Sequence, residues 1–290
     1  MRVKQFGGIA EQYSGYESAK VVILPVPFEA GTNWIKGTDK GPEALIEASA
    51  SMHLYDIQSD FEVYRIGIHT GEAIKEGKSH EKMVKEVETR TMQLLKKRKF
   101  PVIIGGEHST GIGSMKACAD YYKEKDFCIL QLGAHANQRQ IFHGSAYHHS
   151  CVMARASELA PVLQVGIRSM SAEERDSIKP ERVFYAHNIL DGTNKTWMYD
   201  FLNKLEKHVY ISMDLDVLDP SVMAATANPE PGGLGWYQVL EILQAVNDKS
   251  TIVGFDVTGL CPIKYNKAPN LLAARLLYQI LNFKFAGSVK

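Results

Sequence analysis

Val209-Tyr210-Ile211-Ser212-Met213-Asp214-Leu215-Asp216-Val217-Leu218-Asp219-Pro220 is an apolar run that ends in carboxylates. The stretch from Val209 to Met213 has the composition of a buried strand. Asp214 and Asp216 are two residues apart, so both fall on one face of it. Carboxylates placed in this way repel each other unless a cation or a proton sits between them. The pair asks for a metal, and in the metal-free protein it predicts at least one raised carboxyl pKa.

Two further segments have the same form. Gly105-Gly106-Glu107-His108-Ser109 follows the run Val102 to Gly105, and Gly133-Ala134-His135-Ala136-Asn137 follows Phe127 to Leu132. Other apolar runs recur at Val21 to Pro25, Tyr64 to Ile68, Val162 to Ile167, Arg182 to Tyr185 and Ile252 to Val257. They are near-continuous rather than alternating, as strands covered on both faces of a parallel sheet are. Amphipathic stretches lie between them, clearest at Ser79 to Lys97, Ser109 to Lys123, Asn194 to Lys207 and Trp236 to Val246. Ser79, Ser109 and the Ser171-Ala172-Glu173-Glu174 box stand as helix starts. The expected fold is a three-layer α/β/α sandwich with a mostly parallel eight-stranded sheet, residues 1–290 forming a single domain. In such sheets ligands bind beyond the carboxyl ends of the strands. His108, His135, Asp214, Asp216 and Gly259 all fall there.

Composition narrows the function further. The 290 residues are 45% apolar, and 33 basic residues balance 33 acidic ones, which gives no footprint for nucleic acid or an anionic membrane. The start Met1-Arg2-Val3-Lys4-Gln5-Phe6-Gly7-Gly8 lacks a signal-peptide core, and no run of about 18 apolar residues occurs. Cys118, Cys128, Cys151 and Cys261 have no Cys-x-x-Cys spacing and read as reduced core residues. A soluble cytoplasmic protein is expected.

In this order and spacing the three motifs resemble the ureohydrolases, the arginase and agmatinase family, and are most similar to the agmatinase branch. Pro25-Val26-Pro27-Phe28-Glu29, Val165-Gly166-Ile167-Arg168-Ser169 and Asn228-Pro229-Glu230-Pro231-Gly232-Gly233 support the resemblance. It implies hydrolysis of a guanidino compound to urea over two manganese ions, and of the family's six metal ligands His108, His135, Asp214 and Asp216 are matched. Gly133 and Asn137 stand where the family has aspartates. Gly259, in Asp256-Val257-Thr258-Gly259-Leu260-Cys261-Pro262, stands where it has a glutamate that pairs with the guanidinium. His149 matches the histidine assigned proton transfer to the leaving amine. Asp219 either accepts backbone N–H bonds at a turn or orients a ligand. Glu107, beside His108, should point away from the site. His143 and His148 are extra imidazoles suited to a softer ion such as zinc or nickel.

Taken singly, a glycine after a strand is a turn former and an asparagine in a loop a hydrogen-bonder. Together, the three departures predict a degenerate dimanganese site holding no metal or one weakly bound ion. The expected function is that of a pseudoenzyme without guanidine hydrolysis, acting through binding or oligomeric partners. The alternatives are an active agmatinase-type enzyme, converting agmatine and water to putrescine and urea, and a single-metal hydrolase with an altered substrate. Expected partners are a small guanidino or amine ligand and further subunits. The subunits would form a homo-oligomer (trimer or hexamer) or a hetero-oligomer with an active homologue.

Overall fold

Seven of the eight apolar runs become strands where the sequence places them. The computed structural model describes residues 4–286 apart from 32, 33, 76, 78, 124 and 193. Its strands are β1 (Val21–Val26), β2 (Ile68–Thr70), β3 (Phe100–Gly105), β4 (Phe127–Leu132), β5 (Val162–Ile167), β6 (Val183–Tyr185), β7 (His208–Asp214) and β8 (Thr251–Thr258). They form one sheet in the order β2-β1-β3-β8-β7-β4-β5-β6. Every pairing is parallel, so the sheet is wholly rather than mostly parallel.

Burial on both faces explains the near-continuous runs. Val21 and Ile23 of β1 belong to one apolar cluster, which includes residues of the helices Gly41–Ser49, Trp236–Lys249 and Ala268–Phe285. Val22 and Leu24 face the other way, into a cluster shared with His80–Lys96 and Ile112–Tyr122. Successive strand side chains thus alternate between two cores, and neither face is left for water.

Several local readings need correction. Tyr64 to Ile68 is not a strand: Val63–Ile66 is a 3-10 turn, and Gly67, at φ 86°, separates it from β2. Ser79 caps its helix as expected, accepting from the Lys82 amide, and Ser171 and Glu174 form the reciprocal box. Ser109 caps nothing. Its hydroxyl donates to Glu107, and the helix begins at Ile112 after a 3-10 turn. The helix expected over Asn194 to Lys207 contracts to Trp197–Leu202. The helix Ala268–Phe285 is apolar around most of its circumference, so it carries no clear amphipathic stripe. Among the described residues no helix is long and apolar enough to cross a membrane.

Candidate functional site

β3, β8, β7 and β4 are neighbours in the middle of the sheet, and the segments singled out in the sequence leave their carboxyl ends. The chain exits β3 and β4 on either side of the inserted β8 and β7, which leaves a crevice of the kind that open α/β sheets use for ligands. It holds a cavity of about 100 Å³ lined by Glu107, His108, His135, Asn137, Asp214 and Asp216, with His149 and Gly259 also on its wall. The sequence-predicted residues are therefore brought together.

Their polar atoms are largely committed to one another. His135 Nδ1 lies 2.6 Å from Asp216 Oδ2, and Asp216 Oδ1 accepts from the Ala134 amide at 2.8 Å. The Asp216 amide donates to Asp214 Oδ1 at 3.2 Å. On the other side of the crevice the Asn137 amide nitrogen is 3.0 Å from His108 Nδ1, and Asp214 Oδ2 is 3.4 Å from the same ring atom. His108 Nε2 reaches Ser212 Oγ at 3.0 Å, and Ser212 in turn donates to Asp256 Oδ1 at 3.1 Å. With Asn137 donating to Nδ1, the His108 proton sits on Nε2 and the chain runs from His108 through Ser212 to Asp256.

Electrostatics follow from this arrangement. Burial and the nearby Asp216 carboxylate push Asp214 well above the usual carboxylate range, as the spacing predicts. Burial also acts on Asp216, but the His135 imidazole outweighs it and holds this carboxyl low. Burial opposes charging of His135 in the same way, and Asp216, helped by Asp214 and Glu230, lifts it to about 9. Burial lowers His108 and His149 to about 4, so both rings are neutral near pH 7.

The three positions that depart from the resemblance differ in what surrounds them. A Cβ at Gly133 would lie 2.9 Å from Gln131 Nε2 and 3.5 Å from Asp216 Oδ1. Asn137 adopts φ 52°, a left-handed conformation that asparagine tolerates better than most residues. Gly259 has φ 88°, and a Cβ there would come within 2.4 Å of Asp214 Oδ1. The turn after β8 is thus pressed against Asp214 in a way that only glycine allows.

The other candidate residues differ in role. Asp219 Oδ1 accepts from the Ser221 amide and hydroxyl, and Oδ2 from the Gly232 and Gly233 amides at 3.0 Å. These bonds are the turn-anchoring ones. His149 reaches the crevice with a buried Nδ1 that has no hydrogen-bond partner. His148 accepts from the Ser150 amide at Nδ1 and has Nε2 on the Gly31 carbonyl. No lone pair of that ring is left for zinc or nickel. Among the described residues no group of three or more His, Cys, Asp or Glu stands in an arrangement that could hold a metal ion.

Glu107 lines the crevice but directs its carboxylate at other partners: His80, Ser109 and the Ala30 and Gly31 amides. Burial raises it, yet His80, His149 and these donors bring it to about 2. Sequence reasoning missed this anchor, and also Ser212, Asp256 and Glu230, whose Oε2 is 4.0 Å from His135 Nε2. The Ser212 and Asp256 pairing had a signal: each is a lone polar residue near the end of an otherwise apolar run.

Comparison with known proteins agrees with the fold. The arginase family profile matches residues 19–282. An N(1)-aminopropylagmatine ureohydrolase of Synechocystis sp. is 32% identical, over 94% of this chain and 92% of the relative. The protein of that name from Thermus thermophilus is 33% identical, over 94% and 93%. The solved agmatine ureohydrolase of Thermoplasma volcanium superposes with a TM-score of 0.86 at 26% identity, over 99% of this chain and 96% of that one. On its fold, its motif order and these matches, the chain belongs to the arginase family.

Proposed function

We propose that this arginase-family chain does not hydrolyse guanidines over a dinuclear metal centre, and that it acts through binding or oligomeric partners. One observation carries the reading: Gly133 and Asn137 supply no carboxylate at two positions where the resemblance expects a metal ligand, and the Asn137 amide instead reaches His108 Nδ1 at 3.0 Å. A dimanganese centre does not fit this donor set. Two doubly charged ions a few ångströms apart need carboxylates between and around them, and only Asp214 and Asp216 remain where the resemblance expects four. Gly259 removes the carboxylate that would grip a guanidinium, and its backbone fills space beside Asp214.

The comparisons favour a second reading. The relatives that match along nearly the whole chain carry the names of hydrolases, N(1)-aminopropylagmatine ureohydrolase and agmatinase. On that reading the chain hydrolyses a guanidino compound of the same class, through a single ion or through waters that stand in for the missing carboxylates. Urea release by manganese-loaded protein, assayed with agmatine and with N(1)-aminopropylagmatine, separates the two. Background-level urea with both substrates is the expected outcome. Sustained turnover with either one establishes the hydrolytic reading.

A further inference from the structure

The amino-terminal ends of β1, β3 and β8 lie at the far end of the sheet from the crevice, and beside them is a second cavity of about 320 Å³. Its walls carry Lys20, Arg98, Lys99 and Lys284 together with Tyr121 and Phe285, and among the described residues that line it there is no Asp or Glu. The chain as a whole balances 33 basic against 33 acidic residues, so this is a local excess of positive charge.

The fold gathers these cations from three places. Lys20 precedes β1, Arg98 and Lys99 precede β3, and Lys284 lies in the last turn of the helix Ala268–Phe285. Lys20 Nζ is 4.9 Å from the centre of the Phe285 ring, and Lys284 Nζ is 6.0 Å from it. The ring attracts each ammonium but has no charge with which to neutralise either. Burial and the Lys20 charge hold the Lys284 amine below its ordinary pKa, and no carboxylate acts against them. Lys99 is already committed, donating to the Tyr16, Glu17 and Ala19 carbonyls. Among the described residues Lys20, Arg98 and Lys284 have no carboxylate within ion-pair distance.

Arg98 is informative for a second reason. It has φ 57° just past the helix His80–Lys96, where its amide bonds to the Leu95 carbonyl and the Lys99 amide to the Leu94 carbonyl. Glycine is favoured in this helix-ending turn, because a side chain strains the left-handed backbone. The turn gains nothing from an arginine, whereas the cavity gains a guanidinium. Helix C-termini attract cations, and the helices His80–Lys96, Ile112–Tyr122 and Ala268–Phe285 all end here. About half a negative charge from each still leaves roughly two positive charges uncompensated.

We propose that this cavity binds a phosphate-bearing small molecule, with its anionic group held by Lys20, Arg98 and Lys284. A phosphate group concentrates about two charges and three acceptor oxygens in a small volume, which suits one guanidinium and two ammonium groups. The site is separate from the crevice and does not depend on whether the chain hydrolyses guanidines.

Isothermal titration calorimetry with inorganic phosphate and with inorganic pyrophosphate, at constant ionic strength, tests the proposal. One saturable site per chain is expected for at least one of the two probes. Arg98→Gly should weaken it about 10-fold or more, while its urea midpoint stays level or rises because glycine relieves the turn. Lys284→Met, which keeps the length of the side chain and removes a charge that burial opposes, should weaken binding to a similar degree. No saturable binding of either probe by the unaltered chain overturns the proposal. So does a folded Arg98→Gly that binds as tightly as the unaltered chain. Binding that survives both substitutions and is lost on His135→Ala places the anion in the crevice and overturns it as well.

Discussion

At the residue scale His135 Nδ1 and Asp216 Oδ2 lie 2.6 Å apart, an ion pair at two positions where the resemblance expects metal ligands. Removing one partner of a buried pair typically costs about 3–5 kcal/mol. The His135 side chain is a quarter exposed, so the cost of Asp216→Asn should fall below that range, at about 2–3 kcal/mol, read by urea unfolding at pH 7. The pair also sets a pH signature. The pKa of His135 is raised from 6.5 to about 9, so its stabilisation is complete below pH 6.5 and is lost as pH rises through 9. Unaltered protein should lose stability across that window, and Asp216→Asn should lose much less. Parallel curves for the two would remove the ion pair from the account. Gly259 makes a separate prediction. An L-residue in the left-handed region costs roughly 1–2 kcal/mol, and the contact with Asp214 adds to it. Gly259→Ala should therefore lower stability by about 2 kcal/mol or more, and a neutral result would mean that the turn after β8 relaxes freely.

At the element scale Gln164 of β5, Gln131 of β4, Ser212 of β7 and Asp256 of β8 are paired in register, a polar row that brings a buried acid into the core. Asp256 is fully buried, and hydrogen bonds from Tyr210, Ser212 and the Met213 amide only partly offset that burial. Burial lifts its pKa from 3.8 to about 7. For an acid with a raised folded pKa, stability is greatest below the unfolded pKa and declines as pH rises from about 4 to 7. Asp256→Asn keeps an acceptor for Ser212 and cannot ionise. It should leave stability near pH 4 almost unchanged and raise it at pH 8 by up to about 4 kcal/mol, since each pKa unit is worth about 1.4 kcal/mol. A loss of stability at pH 8 would show that Asp256 is held ionised. This row was poorly legible in the sequence. A reading of apolar runs treats Gln131, Gln164, Ser212 and Asp256 as isolated interruptions, because strand order and register, which align them, are not local properties. The strand ends themselves were legible, since the motif residues terminate runs whose length and apolar character fix where a strand stops. Tyr64 to Ile68 misled for a local reason: it has strand composition, but the positive φ of Gly67 breaks it.

At the scale of the whole molecule, the parallel sheet and its two covering layers follow from strand runs without polar alternation, and the arginase-family matches agree with that reading along nearly the full chain. The crevice lies where such a sheet places it, and His108, His135, Asp214 and Asp216 all reach it. What the sequence could not show is how those four side chains settle beside Gly133 and Asn137, because that depends on distances between loops far apart in the chain. Asn137 turns to His108, and Gly259 lets the backbone close on Asp214. The family scaffold is present, and the crevice in it is bonded within itself. The most direct test of that claim is the manganese content of purified protein after loading and removal of free ion, measured by elemental analysis. The account predicts well under two ions per chain, with no spin-coupled pair by electron paramagnetic resonance. Two tightly held, coupled ions per chain would contradict it.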